Sequence, residues 1–221
     1  MRNKEILKLV AGFRRFRAKY FVGEDSLYHK LSTGQTPKTL IIACSDSRVD
    51  PALISSASPG ELFVVRNVAN LVPPFESANT GFHGSSAAIE FAIVNLKVEN
   101  VVVMGHRQCG GIRALIEGQQ KKHDSFVGQW MEIAQDARER VLARYPNEDI
   151  DSQCKHCEME AIVTSLNNLK TFPFVNDAIK QRGLKLFGIY FDLEQGLLFE
   201  LDEATSDFKQ IEIDKIPHHQ A

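Results

Sequence analysis

The sequence predicts an α/β protein: a mostly parallel central sheet flanked by helices, with an N-terminal amphipathic helix and a C-terminal edge strand. Three observations carry this prediction. Thr39-Leu40-Ile41-Ile42-Ala43, Leu62-Phe63-Val64-Val65 and Val101-Val102-Val103-Met104 are short apolar runs rich in β-branched residues, as strands buried on both faces are. Between the last two lies Gly84 to Leu96, where Ala87, Ala88, Phe91, Ala92 and Val94 to Leu96 supply the apolar face of a helix. Such alternation of strand and helix belongs to a doubly wound parallel sheet.

The remaining elements follow in chain order. Ile6, Leu9, Val10, Phe13, Phe16 and Tyr20 recur at helical spacing with Arg and Lys mostly opposite, which makes an amphipathic helix. Its basic face would suit a membrane surface or a targeting segment, but Glu5 interrupts the charge pattern. The expected role is packing on the body or on a second subunit. Ser26 caps a short helix through Leu31, and Thr33-Gly34-Gln35-Thr36-Pro37 breaks it. Ser125–Tyr145 and Cys157–Lys170 read as longer helices. Phe187–Phe191 and Leu197–Leu201 read as two strands joined by the turn Asp192 to Gly196, and Pro217–Ala221 as a loose tail.

The chain has 221 residues, enough for one domain with a real core. With 26 basic against 28 acidic residues, 43% hydrophobic and 24% charged, it is neither a disordered chain nor a supercharged nucleic-acid binder. No apolar run approaches the roughly 18 residues that span a bilayer. The first twenty residues lack the continuous apolar core of a secretory signal, so a cytoplasmic location is expected. Four cysteines are too few for a disulfide scaffold and read instead as thiols, metal ligands or nucleophiles.

Two segments carry chemistry. Cys44-Ser45-Asp46-Ser47-Arg48 leaves the first central strand, and His106-Arg107-Gln108-Cys109-Gly110-Gly111 leaves another. Carboxyl ends of parallel strands are where open α/β sheets bind ligands, so the two loops can converge. Two thiols and an imidazole are a zinc set, and three protein ligands leave a fourth position open, as catalytic sites do. Asp46 is placed to fill or guard that position. A cysteine phosphatase would need Arg six positions after its nucleophile; Asp50 and Leu115 stand there instead.

Ala43-Cys44-Ser45-Asp46-Ser47-Arg48-Val49, Gly105-His106-Arg107-Gln108-Cys109-Gly110-Gly111 and Pro59 to Asn70 together resemble the signatures of the β-class carbonic anhydrases. Val72-Pro73-Pro74-Phe75, Val98-Glu99-Asn100-Val101 and Gln153-Cys154-Lys155-His156-Cys157-Glu158 resemble the plant-like branch, although Arg107-Gln108 departs from the small residues common there. The resemblance implies reversible hydration of carbon dioxide to bicarbonate and a proton by attack of zinc-bound hydroxide, with Zn²⁺ on Cys44, His106 and Cys109. Arg48 would hold Asp46 ionised and off the metal, Asp46 becoming a ligand only in a closed state. Gln35 and the Gly110 N–H would bind substrate oxygens; Phe63, Val68 and Phe91 would form an apolar wall. Part of that wall comes from a neighbouring subunit in the family, so a homodimer or higher homo-oligomer is implied. Residues 1–35 would then be a helical arm, 36–216 the zinc-binding catalytic domain and 217–221 the tail.

Other readings stay open at this level. The same zinc site could hydrolyse carbonyl sulfide or carbon disulfide, or the chain could be a non-catalytic zinc or bicarbonate-binding protein, which would have no need of Asp46 and Arg48. Cys154-x-x-Cys157 invites a redox or second-metal role, but no further Cys/His pair completes a tetrahedral site, and packing thiols at a helix start are expected. His83 or His123 could shuttle protons, with a surface role the default. One subclass of the family resembled binds inhibitory bicarbonate with a Trp, an Arg and a Tyr. Arg66 and Tyr190 fill the latter two positions, but Ile41 stands where the Trp would be, so the open site without cooperative inhibition is expected.

Overall fold

The computed structural model describes residues 3–76, 81, 83–119 and 125–213; His123 and the tail 217–221 lie outside the described residues. Six strands form one sheet: β1 (Thr39–Cys44), β2 (Leu62–Asn67), β3 (Asn100–His106), β4 (Lys185–Asp192), β5 (Leu197–Asp202) and β6 (Asp207–Gln210), in the order β2-β1-β3-β4-β5-β6. The first four are parallel, β1, β2 and β3 being the three apolar runs of the sequence and β4 joining them beside β3, and β5 and β6 add antiparallel. The sequence reading missed β6, which takes the edge beyond β5; with only Phe208 half-buried in Asp-Phe-Lys-Gln, it carries almost no apolar signal.

Helices follow the strands. α1 (Lys4–Tyr20) and α2 (Leu27–Leu31) precede the sheet, capped by Asn3 and Ser26 as the sequence suggests for the second. Neither buries a residue; Phe16, Tyr20, Phe21 and Tyr28 stack among themselves, while Ile6, Leu7, Leu9, Val10 and Phe13 face solvent. α3 (Pro51–Ser55) follows β1. α4 (Gly84–Glu90) continues into a π-helical turn, Phe91–Asn95, so the helix expected over 84–96 is present but loosened at its end. α5 (Gly110–Ile116), which was not anticipated, starts directly at the second motif.

The helix expected over 125–145 is three pieces: α6 (Phe126–Met131), a 3₁₀ turn (Glu132–Ala134) and α7 (Gln135–Arg144). Met131, Ala134 and Ala137 are fully buried at intervals of three, and the tighter 3₁₀ turn keeps residues at that spacing on one side. α8 (Ile150–Leu169) begins seven residues before the expected Cys157, because Asp149 Oδ1 accepts the Ser152 N–H at 2.9 Å and caps it there. α9 (Pro173–Arg182) was also missed, despite Pro at its first turn and left-handed Gly183 at its end.

One sheet face presents Leu40, Ile42, Val101 and Val103 to Ile89, Ile162, Leu166 and Val175 from α4, α8 and α9. The opposite face has only a small cluster of Ile41, Ala43 and Met104, flanked by half-buried Leu62, Val102 and Ile189. α8 lies against the sheet where the strands carry no side chain: a Cβ on Gly188 would meet Ile162 Cγ2 at 2.9 Å, Leu166 Cδ1 at 3.1 Å and Leu201 Cβ at 3.1 Å. Gly188→Ala should therefore destabilise the fold by about 1–3 kcal/mol. A thermal melt should show a midpoint several degrees lower, and an unchanged midpoint would mean that this contact is not tight.

Candidate metal centre

Parallel register assembles the centre. Ala43 pairs with Met104, so β1 and β3 end together at the carboxyl edge with Cys44 last on β1 and His106 last on β3. Cys109 follows three residues later as the cap of α5, its extended backbone turning the thiol back toward Cys44. Cys44 and Cys109 Sγ lie 4.0 Å apart, and with a His106 ring nitrogen the three donor atoms fall within 4.8 Å of one another. All three residues are buried.

The donor set fits zinc. Two sulfurs on a tetrahedral Zn²⁺ at about 2.3 Å stand about 3.8 Å apart, close to the spacing seen. His106 Nδ1 is 2.8 Å from the Arg107 carbonyl, which takes its proton and leaves Nε2 as the free donor. That Nε2 is buried without a hydrogen-bond partner. Electrostatics agree: the hydrogen bond from Cys109 pulls the Cys44 thiol far below its usual range against the cost of burial. The same bond, with burial, pushes Cys109 up. Burial alone would lower His106, but the neighbouring Cys44 sulfur and its charge, with the Arg107 carbonyl, outweigh this and raise it. Three groups competing for protons in one dry space suit a dication.

The carboxylate predicted to guard the centre is held by its neighbour. Arg48 Nε donates to Asp46 Oδ1 at 2.9 Å and Nη2 to Oδ2 at 2.8 Å, a bidentate pair, while the Arg48 N–H also donates to Oδ1 at 2.9 Å. The Arg48 hydrogen bonds hold Asp46 well below the usual carboxylate range.

Two residues that the sequence gives no such role, Arg66 and Glu158, fix the loops. Arg66 donates from Nε to the Cys44 carbonyl at 2.9 Å, from Nη2 to the Asp46 carbonyl at 2.7 Å and from Nη1 to Asp50 Oδ2 at 3.0 Å. Glu158 on α8, 2% exposed, accepts the Cys109 N–H at 2.9 Å and the Tyr190 hydroxyl at 2.8 Å, with Arg107 Nη1 at 4.0 Å. Burial raises the Glu158 pKa against those partners. Arg66 and Tyr190 are thus both committed, and Ile41 lies buried on the second sheet face. The only sequence signal for Glu158 is its place in Gln153 to Glu158, whose spacing names no chemistry.

The substrate residues divide. Val68 and Gly110 lie at the centre: Val68 Cγ1 is 2.9 Å from where a Cβ on Gly111 would stand, and Trp130 Nε1 donates to the Val68 carbonyl at 2.7 Å. Phe63 and Phe91 pair with each other, ring centroids 5.9 Å apart, away from the thiols. Phe63 pairs with Leu40, four residues before the Cys44–Asn67 pair, or roughly 13 Å along the strand. Gln35 is exposed on the loop before β1.

A largely parallel sheet, its helices mostly on one face rather than on both as expected, gathers at its strand ends two thiols and an imidazole that could hold a metal ion beside an arginine-held carboxylate. The sequence profile of the carbonic anhydrase family matches residues 39–198. A carbonic anhydrase of Synechococcus elongatus is 39% identical over 201 residues, 90% of this chain and 73% of that one. β carbonic anhydrase 3 of Arabidopsis thaliana is 36% identical over 204 residues, 90% of this chain and 78% of that one. Among solved structures, the β-carbonic anhydrase CcaA superposes with a TM-score of 0.86 at 34% identity, covering 95% of this chain and 93% of that one. A structure from a report on two tetrameric β-carbonic anhydrases of Sordaria macrospora gives a TM-score of 0.78 at 27% identity, covering 90% and 98%. The chain belongs to the β-carbonic anhydrases, a family of enzymes.

Cys154 and Cys157 are not part of this centre. They lie in the second and third turns of α8 rather than at a helix start, 2% and 0% exposed, and burial pushes their thiols up to about 11 and about 12. At pH 8 the thiolate of Cys154 is then about one part in a thousand, and thiolate is the reactive form. Iodoacetamide should leave both unmodified in the native protein and alkylate both in denaturant, as read by peptide mass spectrometry. Native labelling of Cys154 at the rate of a free thiol would contradict this packing role.

Proposed function

We propose that this chain is a zinc-dependent carbonic anhydrase that interconverts carbon dioxide with bicarbonate and a proton, zinc being held by Cys44, His106 and Cys109. The observation that carries the reading is the buried Cys44–His106–Cys109 cluster with Asp46 locked on Arg48 beside it. When bound, zinc supplies a Lewis acid that acidifies water toward neutrality. Asp46, ionised and able only to accept, takes a hydrogen bond from the nucleophile and turns its lone pair toward carbon dioxide. Arg48 keeps that carboxylate from moving onto the metal and closing the fourth position. The Gly110 N–H, at the start of α5, and Gln35 of a second copy, since a chain's own Gln35 precedes β1 at the strand end opposite Cys44, bind the oxygens as negative charge develops on them.

Apolar walls favour carbon dioxide over water. Val68 supplies one within the chain; Phe63 and Phe91, remote from the thiols of their own subunit, serve the site of a second copy. Exposed apolar side chains suit such an assembly: α1 exposes an apolar row, and Val64 on the thinly covered sheet face and Phe91 and Val94 on the helix over the other face are 39–47% exposed. The tetrameric Sordaria macrospora proteins fit the same reading. Residues 1–35 act as an arm across to that partner and 36–216 as the catalytic domain. No helix among the described residues is long and apolar enough to cross a membrane, and four unpaired cysteines suit a reducing cytoplasm.

The test is stopped-flow hydration of carbon dioxide, with carbonyl sulfide in parallel, alongside zinc analysis. Wild type should carry one zinc per chain and hydrate carbon dioxide. Cys44→Ala, His106→Ala and Cys109→Ala should lose both metal and activity, and Cys154→Ser should keep both. Arg48→Ala should keep zinc but lose activity by about 10- to 100-fold. Stoichiometric zinc in Cys109→Ala, or turnover of carbonyl sulfide alone, would overturn the assignment.

Bicarbonate should inhibit without cooperativity. Arg66 already donates from each of its three nitrogens to two carbonyls and Asp50, Tyr190 spends its hydroxyl on Glu158, and Ile41 offers no N–H, so a second anion would have to compete with bonds already made and would lack the third donor. Without differential affinity, no population shift follows. A titration of activity with bicarbonate should be hyperbolic, and a sigmoidal loss would contradict this.

A further inference from the structure

We infer that Gln108 and Glu194 are positioning residues that hold Arg48 on Asp46, tying the dyad to the turn between β4 and β5. The inference rests on the proposed reading in which Asp46 works only while it stays on Arg48. Arg48 has its side chain 47% exposed, and an exposed ion pair standing alone is weakly held. It does not stand alone. Arg48 Nη2, besides Asp46, donates to the Gln108 carbonyl at 3.0 Å, and Nη1 donates to Gln108 Oε1 at 3.3 Å. The guanidinium is thus gripped along two edges, by the carboxylate and by both oxygens of one residue.

Gln108 is itself restrained. Its backbone sits at φ 60°, a left-handed conformation that a residue with a Cβ adopts at a cost and that needs outside support. A glycine would take that backbone freely, so the glutamine is there for its side chain. Its Nε2 donates to Glu194 Oε1, and the other Glu194 oxygen faces Arg107 Nε at 3.4 Å. Glu194 is presented by a fixed turn: Asp192, 2% exposed, accepts the N–H groups of Glu194 at 3.0 Å and Gln195 at 3.2 Å through Oδ1, and its carbonyl accepts Gly196 N–H at 2.8 Å. The chain Asp192–Glu194–Gln108–Arg48–Asp46 therefore runs from a buried anchor to the carboxylate. Arg107 and Gln108, the two residues that depart from the plant-like pattern, are the two that Glu194 holds.

Gln108 and Glu194 are exposed, so Gln108→Ala and Glu194→Ala should fold with wild-type melting temperatures and keep one zinc per chain. The direct readout is the Arg48 side-chain Nε–H resonance in ¹⁵N nuclear magnetic resonance, assigned by its loss in Arg48→Lys. In wild type it should be protected from solvent exchange; in Glu194→Ala and Gln108→Ala exchange should rise at least about threefold, with kcat for carbon dioxide hydration falling by a similar factor. Glu194→Gln keeps an oxygen for the Gln108 amide and should restore both. Unchanged Arg48 exchange in both alanine variants would overturn the inference, as would a loss of activity in them without that change. If wild type hydrated no carbon dioxide, the proposed function would fail while the exchange measurement still decided whether Gln108 and Glu194 hold Arg48.

Discussion

The pairing of β1 with β3 in parallel register is the constraint on which the centre depends. Because both strands run the same way and stop at the same edge, Cys44 and His106, sixty-two residues apart in sequence, end as neighbours without any loop reaching for the other. An antiparallel pairing would put them at opposite ends of the sheet. The short step from His106 to Cys109 then needs only one left-handed residue, Gln108, to bring the second thiol back. α5 begins there, and the start of a helix is where the backbone N–H groups and the helix dipole favour a negatively charged sulfur or substrate.

Such a cluster is costly to keep, since two sulfurs and an imidazole in a dry pocket destabilise one another until a cation joins them. The fold limits their freedom by satisfying the backbone around them. Arg66 takes the carbonyls of Cys44 and Asp46, Glu158 takes the Cys109 N–H, and the Arg107 carbonyl faces the His106 ring. Each loop is therefore tied to an element that the sheet already positions: Arg66 to β2, Glu158 to α8. The absence of side chains at Gly105 and Gly188 lets α8 approach closely enough for Glu158 to reach, with Ile162 filling the space where Cβ atoms would stand. Packing and chemistry share one helix.

How much of this could be read beforehand depended on whether the signal was local. β1, β2 and β3 were legible because each carries an unbroken apolar run, even though one of their faces is only thinly covered within the chain. The ligands were legible because Cys44 and His106 sit immediately after such runs. α5 and β6 were not, being seven and four residues long with little periodicity, and α9 was overlooked although Pro173 and Gly183 bracket it. The single helix expected over 125–145 failed because a threefold spacing of Met131, Ala134 and Ala137 imitates helical periodicity. Glu158, Gln108 and Glu194 act through partners distant in sequence, at the loops 49, 60 and 86 residues away, and no local pattern marks them. Phe63 and Phe91 pair with each other away from the thiols of their own chain, so a wall built from them, as proposed, would belong to an assembly.

The central claim is that Arg48 keeps Asp46 off the metal so that the fourth position stays open. A crystal structure of the zinc-loaded protein at neutral pH tests it most directly. The account predicts zinc on Cys44, His106 and Cys109, the Asp46 carboxylate still bidentate on Arg48, and a solvent molecule or small anion completing the tetrahedron. Asp46 bound to the zinc with Arg48 released, or zinc held by Cys154 in place of Cys109, would contradict it.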